Sequence, residues 1–251
     1  MSEDITDLLK AWKYEPGDQI RIIKADDGRD VLQVRQPLGI EQYEMEGRPD
    51  GKRPFNRESV LDEFLYRIDN NPEYTINHED FLLIQNEGII YYFRYLVFFQ
   101  IGDFKRTVRD TEHNLKICDI VEGHAEVEED KKDMLQYRPY IMRMNAVSRA
   151  MILLHHEMKT TAKEVLESAI NTIETMPEID TPAFQFERIR SVNYLKSTLK
   201  QVTEQNGNPL EKLHTDLERA VKEENYELAA ELRDRIRDLE NRGKGSSRRL
   251  V

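Results

Sequence analysis

Apolar positions along this chain follow two periods, and the switch between them marks its organisation. Ile5, Leu8, Leu9 and Trp12 fall at i, i+3, i+4 and i+7, which predicts a short amphipathic helix that lays Trp12 onto the core. Glu15-Pro16-Gly17-Asp18 ends it. QIRIIKA and DVLQVR then alternate with period two on either side of Asp26-Asp27-Gly28-Arg29, whose Asp-Gly pair is a hairpin signal. IEQYEMEG supplies a third strand before Arg48-Pro49-Asp50-Gly51. A small antiparallel meander follows, read as a scaffold that covers one face of a helical domain.

From Asn56 the period is helical. Ser59 through Ile68 makes a short helix ended by Asn70-Asn71-Pro72, and Asn77 or His78 starts the next. FLLIQNEGIIYYFRYLVFFQIG is the most apolar and aromatic stretch, yet Gln85, Glu87 and Arg94 inside it argue for a buried helix rather than a membrane span. Gly102-Asp103-Phe104 breaks it, and a returning helix runs from Lys105 toward Val121. With Tyr95 and Phe98 at core positions of the first helix and Asn114 at a small-residue position of the second, the pair resembles a degenerate tetratricopeptide repeat. A second copy starts near Tyr137, with Ala146, Ala150 and Leu153 on one helix and Ala162, Leu166 and Ala169 on the next, so that Thr107 and Ala162 correspond. Their spacing of 55 exceeds the usual period of about 34 because an acidic insert, Glu122 to Asp133, intervenes. Thr107 and Thr111 stand where that family has alanine and an aromatic, and Met158-Lys159-Thr160 lacks the Gly-Asp-aromatic turn, so a plain helical bundle stands beside it as the alternative. Thr181-Pro182 caps a last helix with Phe184, Ile189, Val192, Leu195, Leu199 and Val202 as its apolar face, and Glu204-Gln205-Asn206-Gly207 links it onward.

The most specific pattern comes last. Asn208 is a good N-cap, Pro209 suits the first helical position, and Glu211 reaches back to the cap's N–H. Leu210, Leu213, Leu217, Ala220 and Val221 share one helical face. After Glu223-Glu224-Asn225 a second amphipathic run carries Tyr226, Ala229, Ala230, Leu232, Ile236 and Leu239, closed by Asn241-Arg242-Gly243. Two helices of this size bury too little apolar surface to stand alone, so the hairpin must dock on something. Leu213, Tyr226-Glu227, Ala229-Ala230, Leu232-Arg233-Asp234, Ile236 and Leu239 resemble the UVR motif, the helical hairpin of the B and C subunits of bacterial nucleotide excision repair, also found in some Clp-type ATPases and activators of protein-arginine kinases. Asn225-Tyr226 stands where that family often has Asp-Phe, a departure that adds a hydroxyl in need of a partner. The resemblance implies protein–protein association, because in the repair subunits the hairpin pairs with its counterpart. It implies contacts through Leu213, Leu217, Tyr226, Ala229, Ala230, Leu232, Arg233 and Ile236.

Composition adds limits. The chain has 251 residues, 34% charged and 39% hydrophobic, with a net charge of −11, which disfavours broad binding to nucleic acid or anionic lipid. Its N-terminus is acidic and amphipathic, unlike a secretory signal, and its one cysteine, Cys118, excludes an internal disulfide and any zinc site of several thiolates, so the cytoplasm is the expected compartment. There is no Gly-x-x-x-x-Gly-Lys loop, and Gly88-Ile89-Ile90-Tyr91-Tyr92 lacks the Tyr-Ile-Gly that would make it a GIY-YIG nuclease signature. His113, Cys118 and His124 match no metal-ligand spacing, and His155-His156-Glu157 lacks the second histidine of His-Glu-x-x-His. No catalytic, cofactor or metal residue is assigned.

The expected architecture is mainly α: residues 1–55 as helix plus β-meander, 56–205 as an antiparallel helical-hairpin array, tetratricopeptide-like or bundle, 206–243 as the UVR hairpin and 244–251 as a basic tail. The expected function is a non-enzymatic adaptor that docks a partner protein or a second copy of itself through the hairpin, with a peptide or protein on the helical domain. The alternative is an accessory of bacterial DNA repair. There Arg48, Lys52, Arg53 and Arg57 of the loop and Lys244, Arg248 and Arg249 of the tail would contact phosphates.

Overall fold

The computed structural model describes residues 4–204 together with Leu217 and Arg233. The chain divides into two compact units, Met1–Leu195 and Lys196–Val251. The first unit begins with α1 (Thr6–Ala11), followed by strands β1 (Ile20–Lys24), β2 (Asp30–Gln36) and β3 (Gly39–Glu44) in an antiparallel meander of order β1-β2-β3. Lys24 lies opposite Asp30 across the first turn, where Gly28 adopts φ 86°, and Gln36 lies opposite Gly39 across the second. Leu32, Val34, Tyr43 and Met45 form one cluster with Val97 and Phe98 of the central helix, so the sheet does cover a helical face. Contrary to expectation, α1 does not lay Trp12 onto the core. None of the helix's six residues is buried, Ile5 and Leu8 face solvent, and Trp12 is half-buried with Arg21 of β1 stacked 3.9 Å from its ring centroid. So short an apolar face does not reach the core, and the cation–π contact holds the ring over the strand instead.

Four side-chain caps set helix starts. Ser59 Oγ accepts from Asp62 N (3.0 Å), Asn77 Oδ1 from Asp80 N (2.9 Å), Asp103 Oδ1 from Arg106 N (3.1 Å) and Thr181 Oγ1 from Phe184 N (3.1 Å). They open α2 (Val60–Asn70), α3 (His78–Gln100), α4 (Phe104–His124) and, later, α8 (Pro182–Glu204). α3 is the central helix: Phe81, Ile84, Gly88, Tyr91, Tyr95 and Phe98 recur at three- and four-residue steps and are all buried. α2 adds Val60, Leu61 and Phe64 against Phe81, Ile84 and the α4 residues Ile117 and Val121. Ile76 clamps the two loops at that end, donating its N–H to the His124 carbonyl (2.7 Å) and accepting from Glu126 N (3.0 Å).

The acidic insert is helical in part. Residues Glu128–Leu135 form α5, where the apolar pattern predicts only an acidic interruption. Asp130 is buried against His78 Nδ1 at 3.0 Å, and Leu135 joins Cys118 and Ile141. α6 (Arg138–His155) and α7 (Lys159–Thr175) complete a second antiparallel pair. α4 opens at Phe104 and α7 at Lys159, 55 positions later, and the turns before them share their geometry. Gly102 and Glu157 both adopt a left-handed conformation, φ 77° and 60°, and the next residues, Asp103 and Met158, both donate their N–H to a carbonyl five residues back, at 2.9 Å in each case. Thr107 and Ala162 are both fully buried.

Glu157 therefore occupies a position that favours glycine. Glu157→Gly is expected to stabilise the chain by about 0.5–1 kcal/mol, and Gly102→Ala to cost about 1 kcal/mol, with the two shifts of opposite sign in thermal melts. α8 differs from expectation at one position: Ile189 is 62% exposed, and Ser191 is fully buried in its place. Ser191 lies seven residues and Leu195 eleven from Phe184, two and three whole helical turns and so on one face with it, whereas Ile189, five residues from Phe184, turns away. Among the described residues no helix is long and apolar enough to cross a membrane.

Candidate binding groove and its supports

Two buried ionic nodes fix the helices around which a groove forms. At the first, Glu87 of α3 is fully buried and accepts four hydrogen bonds: from Val60 N (2.8 Å), Leu61 N (3.0 Å), Arg48 Nε (2.9 Å) and His113 Nε2 (3.0 Å). One carboxylate thus joins the start of α2, the loop after β3, and α4. Burial pushes its pKa up, but the bonds from His113, Val60 and Leu61 outweigh this and hold it below the ordinary value of 4.5. His113 in turn stacks face to face on Tyr91, with centroids 3.7 Å apart. At the second node, Arg94 and Asp110, both fully buried, meet through Nε–Oδ2 (2.7 Å) and Nη2–Oδ1 (2.8 Å), while Arg94 Nη1 donates to the Glu44 carbonyl (2.8 Å). Sheet, α3 and α4 are tied there.

On the other side of α3 the packing leaves a groove of about 690 Å³ between α3, the end of α5, the start of α6 and the first turns of α8. Its walls are aromatic. Tyr92 meets Tyr95 edge-on (5.5 Å), Phe93 (5.3 Å) and Tyr140 (5.9 Å), while Phe93 is 48% exposed and Tyr137 stands open beside them. Desolvation raises the pKa of Tyr95 and Tyr140, so both phenols stay neutral. Two polar side chains on the walls keep an unmet acceptor. Asn114 donates through Nδ2 to the Gly88 carbonyl (2.9 Å), but its Oδ1 is shielded from solvent without a hydrogen-bond partner. Glu187 approaches Arg190 through Oε1 (3.6 Å), and its Oε2 is equally shielded and unpartnered. A smaller cavity of about 350 Å³ opens beside His113. Glu58, Asp62 and Glu112 there face Arg109 and Lys116, so it selects neither charge.

The residues singled out from sequence fall into three groups. Arg48, Lys52, Arg53 and Arg57 are all engaged with carboxylates of the chain: Arg48 with Glu87 and Asp50, Lys52 with Asp50 at 3.9 Å, Arg53 with Glu58, and Arg57 with Glu63 at 2.5 Å. Leu217 and Arg233 are helical, the former half-buried and the latter exposed. Leu213, Tyr226, Ala229, Ala230, Leu232, Ile236 and the tail residues Lys244, Arg248 and Arg249 lie outside the described residues. Of the isolated candidates, His124 bonds the Tyr74 carbonyl, and Cys118 is buried with its thiol pushed up to about 11 by desolvation. The groove residues Tyr92, Phe93, Asn114, Tyr140 and Glu187 were not anticipated as a site. Their signal was the density of aromatics in α3, which sequence assigns to the core without saying which faces stay open.

Against known proteins, the family model described as "UVR: UvrB/uvrC motif" matches residues 207–242. No curated protein and no solved structure gave a match.

Proposed function

We propose that this protein is a non-catalytic adaptor, with the C-terminal hairpin docking a partner protein or a second copy of the chain and the aromatic groove of the helical unit receiving a peptide segment. The observation that carries this reading is the UVR match over residues 207–242, a motif found in DNA-repair proteins that serves interaction. The groove supports it by size and exposed aromatic surface, which are features of a recognition site rather than of a core. Contact with DNA through the loop at 48–57 finds less support, since its four cations are already matched by carboxylates.

The test uses the full chain. Leu232→Asp places a charge on the apolar hairpin face and, like truncation after Gln205, is expected to abolish self-association in light scattering or retention of hairpin-dependent partners in a pull-down. Unchanged oligomeric state and unchanged partners in both variants would overturn the adaptor reading.

A further inference from the structure

Beyond its first turn, the exposed residues of α3 are Leu82, Leu83, Asn86, Ile89, Phe93 and Gln100, and the four apolar ones are 42–48% exposed. Between Phe81 and Gln100 the only charged residues are Glu87 and Arg94, both fully buried and turned inward. The neighbouring α4 has an ordinary solvated face, with Lys105, Lys116, Asp119, Glu122 and Gly123 as its exposed residues. α3 has none. Leu82, Asn86, Ile89, Phe93 and the half-buried Leu96 follow one another at steps of four and three, the repeat with which one helix packs along another. We infer that this outer face of α3 is where two copies of the chain associate.

Area and charge select the occupant. Tyr137, across the mouth of the groove, and Phe186, whose ring lies beside the groove residue Arg190, are exposed as well. With them the apolar surface on this side is on the order of 700 Å², where a lone soluble chain rarely leaves more than a few hundred and each partner of a standard interface buries about 800 Å². A partner recognised by charge finds nothing to read on this helix. Two chains of net charge −11 repel each other, so they meet only through faces that take no charge out of water, and α3 offers such a face to its own copy. Because both chains present the same patch, a two-fold arrangement buries it on both and closes. Ile89 and Phe93 also line the groove, so the second copy covers its α3 rim and leaves the wall of Tyr92 and Tyr140 to the groove. The contact goes beyond the adaptor reading and narrows it: α3 joins the copies, and the hairpin is left for a partner protein.

Light scattering of the full chain at micromolar concentration tests this. The wild type is expected at twice the chain mass of 29.7 kDa. Ile89→Asp and Phe93→Asp each place a carboxylate on the contact at an exposed position, and each is expected to weaken association at least roughly a hundredfold, to the monomer mass, with an unchanged circular-dichroism spectrum. Leu38→Asp, at a 91% exposed position in the turn between β2 and β3, is expected to leave the mass unchanged. Added salt is expected to keep or tighten the dimer, since it screens the repulsion between like-charged chains and finds no ion pair in the contact to weaken. A monomeric wild type, a dimer that dissociates as salt rises, or a dimer untouched by both Ile89→Asp and Phe93→Asp would overturn the α3 contact. Leu232→Asp is expected to keep the dimer mass while losing hairpin-dependent partners. A dimer dissolved by Leu232→Asp alone would assign it to the hairpin, so that the α3 contact fails and the adaptor reading stands; dimer and partners both retained in that variant would leave the α3 contact standing and the adaptor reading overturned.

Discussion

Asp110→Leu is expected to destabilise the fold by about 3–5 kcal/mol, because it removes one half of an ion pair that has no access to water. Arg94 is fully buried, and without Asp110 its Nε and Nη2 lose their acceptors while only Nη1 keeps the Glu44 carbonyl. At roughly 2–4 °C per kcal/mol for a chain of this size, the thermal midpoint should fall by about 6–20 °C. The double variant Arg94→Met/Asp110→Leu is expected to recover most of that loss, since it removes the stranded charge together with its partner and fills the space with apolar atoms. A residual cost of about 1–2 kcal/mol remains, because the Glu44 carbonyl loses its donor and Arg109 Nε, which also bonds Asp110 (2.9 Å), loses its acceptor. Urea titrations of the wild type, both single variants and the double variant give the coupling energy directly. A single-variant cost below about 1 kcal/mol would mean that the pair does not hold β3, α3 and α4 together.

These nodes show where reading the sequence reaches its limit. Helix starts at Ser59, Asn77, Asp103 and Thr181 were legible because a cap is a local event, one oxygen and an N–H three residues on. The shared turn geometry before α4 and α7 was not legible, because Glu157 stands in the left-handed position that Gly102 fills in the first turn. Glu87 and Arg94 were noticed only as charges inside an apolar helix, seven residues apart and so on one face. Their partners lie 39 and 16 residues away, in elements whose approach no local pattern specifies. α5 escaped because EEDKKDML offers almost no apolar period; it is held by Asp130 meeting His78 and by Leu135. The groove escaped because hydrophobicity reports burial on average, whereas the groove consists of those aromatic faces that neighbouring helices leave uncovered. The UVR motif stands at the opposite extreme: its signature residues lie within about 30 positions of one another, and the family match falls on them, at residues 207–242.

Glu87→Gln is expected to cost about 2–4 kcal/mol at pH 7, and the cost should shrink as the solution is acidified. Four donors converge on Glu87, and a neutral amide accepts through one oxygen while turning its NH2 toward Arg48 or a backbone N–H. The sign follows from linkage. Glu87 has a folded pKa below its ordinary value of 4.5, so its contribution is fully present above that value and is lost as pH falls through the lower, folded value. Once the wild-type carboxyl is itself protonated, it presents the same donors with a neutral group, and the difference from glutamine closes. The charged or titratable neighbours are Arg48, with Asp50 behind it, and His113 stacked on Tyr91; all are common to both proteins, so the difference isolates Glu87. Denaturant unfolding of the two proteins between pH 3 and pH 7 should give stability curves that are well separated at neutral pH and converge below about 4.5. Parallel curves over the whole range would mean that Glu87 has the same pKa folded and unfolded, so that the four bonds give its charge no net stabilisation.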